Sequence, residues 1–166
     1  MYYQSPIGTL KIKAHQGCIN EILFMDEPTT EQNIADDDIV DAADTTVLKE
    51  CRQQLDEYFS GERKIFDFPV KQEGTLFQEK VWNELMTIPY GKTISYRQLS
   101  EMIGNARSIR AVGTANGRNN LPIVVPCHRV IGSDGSLTGY GGGLWRKKWL
   151  LEHENKFGNG VVSLFG

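Results

Sequence analysis

Pro126-Cys127-His128-Arg129-Val130 holds the residue types best suited to covalent chemistry in this chain, a thiol followed at once by an imidazole. A free cysteine has a pKa of about 8.5 and is only a few per cent thiolate at neutral pH. Nucleophilic attack needs the thiolate. His128 could supply the base, directly or through a water, and such help is worth roughly 10²–10⁴ in rate. A histidine base works better when a third group fixes its tautomer. Glu154, in the helical stretch Arg146 to Glu154 (RKKWLLEHE), is the candidate for that role. Adjacent residues need not meet in space, so spacing alone does not make the pair functional.

The other cysteines carry less. Val47, Leu48, Cys51, Leu55, Tyr58 and Phe59 follow helical spacing, which puts Cys51 on a buried stripe as a core thiol. Cys18 lies beside a turn without a chemical partner nearby in sequence. Three cysteines cannot all pair within one chain, and no CxxC or Cys/His spacing suggests zinc. No metal is expected, and a reducing cytoplasm is the simplest compartment.

Several elements must position the Cys-His segment. Leu121 to Val125 (LPIVV) reads as a short buried run, and Pro126 keeps Val125 out of the helical region, which predicts an extended approach to Cys127. Before it come three short helix signals. Thr75-Leu-Phe-Gln78 is a capping box opening a helix to about Met86, with Phe77, Val81, Trp82 and Leu85 on one face. Ser95-Tyr-Arg-Gln98 is a second capping box, for a helix to about Ile103, and a third helix spans about Ser108 to Gly117. Three short helices with tight turns outline a helix-turn-helix module. The third contains Gly113 and Gly117, each costing about 1 kcal/mol relative to alanine in a helix interior. Close approach to another surface would offset that cost. The surface could be a neighbouring helix, or nucleic-acid backbone with Arg110 as a wedge.

The first half reads differently. Leu10 to Ala14 and Ile19 to Met25 form a hairpin around His15-Gln16-Gly17, Pro28 to Asp44 is an acidic surface loop, and a helix runs from Val47 to Phe59. Val70 to Gly74 marks a boundary, giving domains 1–73 and 74–166. Charge divides at the same place. Residues 1–74 hold 7 Lys/Arg against 15 Asp/Glu, and residues 75–166 hold 11 against 6, for net charges of -8 and +5. Between Glu101 and Asp134 there is no acidic residue, while Arg107, Arg110, Arg118 and Arg129 fall there. Such asymmetry suits a second half facing a polyanion, or simply a solvated basic face. No apolar run approaches the roughly 20 residues that span a bilayer, and Met1 to Gly8 lacks the features of a signal peptide.

Arg110-Ala-Val-Gly113, Asn119 and Ile123-Val-Val-Pro-Cys-His-Arg-Val130 together resemble the O6-alkylguanine-DNA alkyltransferase family. Matches continue upstream at Gly74 to Trp82 and Ile88 to Tyr96, and downstream at Gly139-Tyr140 and the Arg146 to Glu154 helix. The resemblance implies an α+β chain, with a small N-terminal sheet-plus-helix domain of ribonuclease H-like type packed on a C-terminal winged-helix-like helix-turn-helix domain. It implies one irreversible transfer of an alkyl group from O6-alkylguanine in DNA, with O4-alkylthymine a further candidate substrate.

The same resemblance implies roles. Cys127 would accept the alkyl group, His128 would activate it through a water, Glu154 would hold His128, and Asn119 would brace the active-site turn. Tyr96 would press on the target phosphate and place its hydroxyl near guanine N3. Arg110 would fill the gap left by the flipped nucleotide, on a small-residue face that includes Ala111 and Gly113. Backbone groups of Cys127 and Val130 would read the guanine edge; Tyr140 would close over the base, with the Gly141 amide near O6. The partner would be double-stranded DNA entered through the minor groove by a monomer, with no cofactor and no membrane. Family members often carry proline after the bracing asparagine, where this chain has Asn120, which leaves the loop shape open. Gly141-Gly-Gly143 is unusually small and predicts a pocket that admits groups larger than methyl. A non-catalytic lesion binder of the same fold is the alternative, and Cys127 counts against it. A helix-turn-helix regulator would need polar side chains where Ala-Val-Gly-Thr-Ala stands.

Overall fold

The computed structural model describes residues 1–26 and 41–159, in two compact units, Met1–Gln72 and a second that starts at Glu73. In the first unit, β1 (Tyr2–Ser5), β2 (Gly8–His15) and β3 (Cys18–Met25) form an antiparallel sheet in that order. The hairpin between β2 and β3 turns on Gln16 (φ 53°) and Gly17 (φ 74°). Two left-handed residues in a two-residue loop match the twist of the strands they join. The Gly17 N–H then donates to Asp44 Oδ1 at 2.7 Å, tying the turn to the following helix.

That helix, α1 (Ala42–Phe59), buries Val47, Cys51, Leu55 and Tyr58 against the sheet. It begins before the expected start at Val47, because Asp41 caps it by accepting from the Asp44 N–H at 2.8 Å. Asp44 lies in the first turn, where the helix dipole favours an acid. The acidic loop expected over Pro28 to Asp44 is thus helix at its end, and its residues 28–40 lie outside the described residues. β1 was not anticipated; it adds Tyr3, opposite Leu10, to the core. Burial pushes the Cys51 thiol up to about 12, which leaves it an inert core group.

In the second unit, α2 (Leu76–Leu85), α3 (Tyr96–Met102) and α4 (Ile109–Gly117) pack together. Thr75 with Gln78 and Ser95 with Gln98 make the two reciprocal capping boxes, so α2 and α3 start where the sequence places them. Val81, Trp82 and Leu85 are buried, whereas Phe77, expected on the same face, is more than a third exposed. Trp82 Nε1 donates to Ala115 O at 2.9 Å and joins α2 to α4. A Cβ on Gly74 would lie 2.6 Å from the Trp82 ring, so only glycine allows that approach.

Two elements bring the chemistry-bearing segment to the helices. β4 (Ile94–Ser95), just before α3, pairs in parallel with β5 (Val130–Ile131), just after Cys127-His128-Arg129. α5 (Leu144–Asn159) extends beyond the expected Arg146 to Glu154 at both ends and packs on the Cys127–Arg129 turn. Among the described residues, no helix is long and apolar enough to cross a membrane.

Candidate active site

Every residue from Leu121 to Val130 is buried. The chain does not reach Cys127 in an extended run, as Pro126 had suggested. The Val125 N–H donates to Leu121 O at 2.8 Å, and the Cys127 N–H donates to Val125 O at 2.8 Å around Pro126, whose φ and ψ are -81° and 61°. These angles are those of an inverse γ-turn. Among the described residues no strand pairs with residues 121–126, and their buried backbone groups find partners by turning on themselves. A 3₁₀ turn, Cys127–Arg129, follows. Ile123, a β-branched residue, is held at φ 75°, a conformation costing of order 1–3 kcal/mol that surrounding packing must impose.

Two asparagines pin these turns. Asn119 Nδ2 donates to Val125 O at 2.9 Å, and its Oδ1 accepts from the Leu121 N–H at 3.1 Å. Asn116, which the sequence reading passed over, lies buried on α4, and its Nδ2 donates to Cys127 O at 3.3 Å. Only its placement near the end of a helix of small residues could have signalled it.

Behind Cys127 runs a buried polar chain. His128 Nε2 is 2.8 Å from Glu154 Oε2. Arg129, also overlooked as a site residue, donates from Nε to Glu154 Oε1 at 2.7 Å, from Nη2 to Oε2 at 3.0 Å and from Nη1 to Ile88 O at 2.7 Å. Burial would raise the Glu154 carboxyl, but hydrogen bonds and charge from His128 and Arg129 outweigh it and hold the carboxyl well below its usual range. Burial lowers His128, since Arg129 already supplies the charge that balances Glu154. The neutral imidazole therefore donates its Nε2–H to the carboxylate. Its lone pair sits on Nδ1, which is buried and without a hydrogen-bond partner among the described residues. No direct hydrogen bond joins the His128 imidazole to the Cys127 thiol.

Cys127 is 6% exposed, and burial holds its thiol above the ordinary value, partly offset by the Asn119 amide and the Lys147 charge. Lys147 was another omission. It is fully buried on α5, where Nζ donates to Val130 O at 2.6 Å, Thr138 O at 2.8 Å and Gly139 O at 3.4 Å. Burial lowers it to about 8. It thus supports the strand after Cys127 and the loop carrying Tyr140. Its three carbonyl partners are tertiary, and nothing in local spacing announces them.

Cys127, His128, Glu154, Asn119 and Val130 come together in this cluster. Val130 offers a carbonyl that Lys147 holds and an N–H that donates to Cys127 O. Tyr96 is half-buried, and its hydroxyl donates to Thr138 O at 2.9 Å. Tyr140 is also half-buried; burial, then the nearby Cys127, pushes its phenol well above the usual value. Gly141 is exposed, and a Cβ there would meet nothing within 4 Å. Arg110 and Ala111 stay outside the cluster, exposed on α4. Gly113 and Gly117 share that helix. A Cβ on Gly113 would make only ordinary contact with the Tyr96 ring at 3.9 Å, and one on Gly117 would meet nothing within 4 Å. Among the described residues no neighbouring helix requires either glycine.

Residues 76–156 match the model of the 6-O-methylguanine DNA methyltransferase DNA-binding domain, and residues 1–72 match that family's ribonuclease-like domain. The constitutive methylated-DNA–protein-cysteine methyltransferase of Bacillus subtilis is 44% identical over 144 residues, 84% of each chain. The methylated-DNA–protein-cysteine methyltransferase of Mycobacterium bovis is 42% identical over 97% of this chain and 94% of its own. The crystal structure of Mycobacterium tuberculosis O6-methylguanine methyltransferase superposes with a TM-score of 0.79 at 39% identity, covering 99% of this chain and 97% of that one. Mycobacterium tuberculosis OGT in complex with DNA gives 0.80 at 40% identity, covering 94% and 92%. With both halves matched and relatives of this identity along nearly its whole length, the chain belongs to the methylated-DNA–protein-cysteine methyltransferase family.

Proposed function

We infer that this protein repairs DNA by moving the alkyl group of O6-alkylguanine onto Cys127 Sγ, once and irreversibly. The observation that carries this reading is the buried Arg129–Glu154–His128 chain, which ends in an imidazole nitrogen with no partner among the described residues, on the residue that directly follows the buried Cys127. DNA is the partner, as it is in the structure of Mycobacterium tuberculosis OGT in complex with DNA. We place contact in the minor groove, through the small face of Ala111 and Gly113, with Arg110 filling the space of the extruded nucleotide. Extrusion is needed because the O6 carbon is unreachable inside the stack, and it costs a few kcal/mol. A monomer acting in a reducing cytoplasm is the simplest setting, with no cofactor or metal in the chemistry.

In the reaction, His128 Nδ1 takes the Cys127 proton through a water, and Sγ attacks the alkyl carbon as its bond to O6 breaks. The electron pair of that bond goes to guanine O6, and a proton returned to the base restores guanine. Tyr96 helps by donating its hydroxyl to guanine N3, and Tyr140 closes over the base with the Gly141 amide near O6. Cys127 O and the backbone of Val130 read the guanine edge. Asn119 holds the turn that aims Sγ. The product is a thioether that no group in the site can cleave, so turnover is one.

Intact-protein mass spectrometry after incubation with a duplex containing one O6-methylguanine, followed by peptide mapping, tests this. A stoichiometric gain of one methyl group on Cys127, lost in Cys127→Ser, is the expected result. Tight lesion binding with no mass gain would instead make the protein a non-catalytic binder.

A further inference from the structure

Trp145 stands in the first turn of α5 and is 57% exposed, although an indole is among the side chains with most to gain from burial. Its orientation is fixed from beneath. The Arg146 guanidinium lies over the ring, 4.6 Å from the centroid. That arginine is itself buried and donates from Nη1 to Gly142 O at 2.8 Å. The ring edge rests on Gly143, where a Cβ would lie 3.3 Å from Trp145 Cδ1 and 3.4 Å from Nε1. The indole is thus pinned to the glycine run while much of its surface faces solvent.

The same contacts lead back to the thiol. The Gly143 N–H donates to Tyr140 O at 2.9 Å, closing a turn that brings the two Cα atoms within about 7 Å. Burial and then Cys127 push the Tyr140 phenol up, and the Arg146 charge opposes the rise, so Tyr140 is within electrostatic reach of both. Between Tyr140 and Trp145, Gly141 is exposed, and a Cβ on it would meet nothing within 4 Å. Outward from the thiol the order is phenol, open glycine, indole.

We propose that Trp145 is a specificity-determining residue for the alkyl group, its open surface being the outer wall against which a flat aryl substituent on the O6 carbon stacks. The inference rests on the alkyl-transfer reading and names the substrate class that the site favours, O6-arylmethylguanines. A methyl group is too short to reach the indole. A ring held in place before the substrate arrives needs little further ordering, and an aromatic pair adds to plain contact area. The chemical step is the one described above. Sγ bonds to the benzylic carbon as its bond to O6 breaks, the electron pair passes to O6, and the thiol proton goes to the base.

The test measures single-turnover transfer rates on duplexes containing O6-methylguanine or O6-benzylguanine, with wild type, Trp145→Ala, Trp145→Leu and Trp145→Phe. The benzyl-to-methyl ratio is taken within each protein and then compared between proteins. Incomplete folding and the intrinsic reactivity of the benzylic carbon both cancel. One aromatic stack corresponds to roughly a two- to tenfold rate effect. The ratio is expected to fall by about that factor in Trp145→Ala and Trp145→Leu, and to return most of the way in Trp145→Phe. An unchanged ratio in Trp145→Ala would overturn the proposal. So would equal slowing of both substrates with weaker duplex binding, which would make Trp145 a DNA contact, or a ratio that Trp145→Leu preserves, which would mean bulk and not stacking. Methyl transfer to Cys127 in any of these cases leaves the proposed function standing; no transfer from either substrate would overturn that function instead.

Discussion

Arg129 and Glu154 meet as a two-pronged ion pair inside the second unit, with Nε to Oε1 at 2.7 Å and Nη2 to Oε2 at 3.0 Å. His128 Nε2 approaches the same Oε2 at 2.8 Å. The carboxylate is thus balanced by arginine, and the imidazole can stay neutral while held in one tautomer. Replacing Arg129 with Met would remove the guanidinium that balances the Glu154 carboxylate. His128 would then take a proton on Nδ1 and cease to be a base. The expected result for Arg129→Met is a loss of about 3–5 kcal/mol in urea unfolding, because a buried charge loses its partner. Methyl transfer should also slow by at least about a hundredfold in single-turnover assays. A stable variant with unchanged rate would show that His128 does not depend on this pair.

The pH profile follows from two opposed shifts. Burial lowers His128 below its ordinary 6.5, so the imidazole loses its proton at a lower pH than it would in water. Burial raises Cys127 above its ordinary 9.0, so the thiol keeps its proton until the base takes it. The acid fall of the transfer rate should therefore be centred below pH 6.5. An inflection centred at 6.5 would mean that His128 titrates as if in water. Duplex binding needs separate measurement at each pH, so that the rate reports the chemical step.

Lys147 sets a different dependence. Its pKa is about 8 in the folded chain against an ordinary 10.5, so between those values the unfolded chain binds more protons than the folded one. Stability from this group therefore rises as pH rises through that window, and below pH 8 the buried charge is a cost. Compared with Lys147→Met, wild type should gain about 3 kcal/mol of unfolding free energy between pH 8 and 10.5. The difference is read from paired urea titrations. A stability gap that stays constant with pH would mean that Lys147 is not desolvated in the fold.

What could be read from the sequence, and what could not, divides along physical lines. The capping boxes at Thr75 and Ser95 are local, and α2 and α3 begin at them. His128 and Glu154 could be proposed as partners because one adjoins the nucleophile and the other lies in a stretch that reads as helix. Asn116, Arg129 and Lys147 could not, because their roles depend on carbonyls or carboxylates that only the tertiary fold delivers. The expected extended path into Cys127 failed for a related reason. Proline restricts the residue before it, but the lack of a neighbouring strand decides whether the chain extends or turns. Acidic composition hid the start of α1, where Asp41 acts as a cap.

The run Gly141-Gly-Gly143 bears on substrate size, and its three positions are not equivalent. Gly143 has φ 91° and its Cβ would lie 3.3 Å from the Trp145 ring, so glycine is required by the fold. Gly142 is buried, and its carbonyl accepts from Arg146 Nη1 at 2.8 Å. Only Gly141 is exposed with open space around its missing Cβ. Gly141→Leu should therefore fold normally and slow transfer of benzyl more than methyl. A difference of roughly tenfold or more between the two groups is expected from a filled pocket. Equal slowing of both would remove the link between these glycines and the size of the alkyl group.

Gly113 offers a sharper separation of stability from function. In a helix interior it costs about 1 kcal/mol relative to alanine. Inside the described structure nothing requires glycine there, since a Cβ would make only ordinary contact with Tyr96 at 3.9 Å. Gly113→Ala should accordingly raise the unfolding free energy by about 1 kcal/mol. If glycine is kept so that α4 can lie close against a DNA groove, the same variant should bind duplex more weakly, as read by fluorescence anisotropy. Glycine would then be a stability cost retained for binding, a trade commonly met at functional surfaces. A variant that gains stability and binds duplex as tightly as wild type would show that this face of α4 does not lie against DNA.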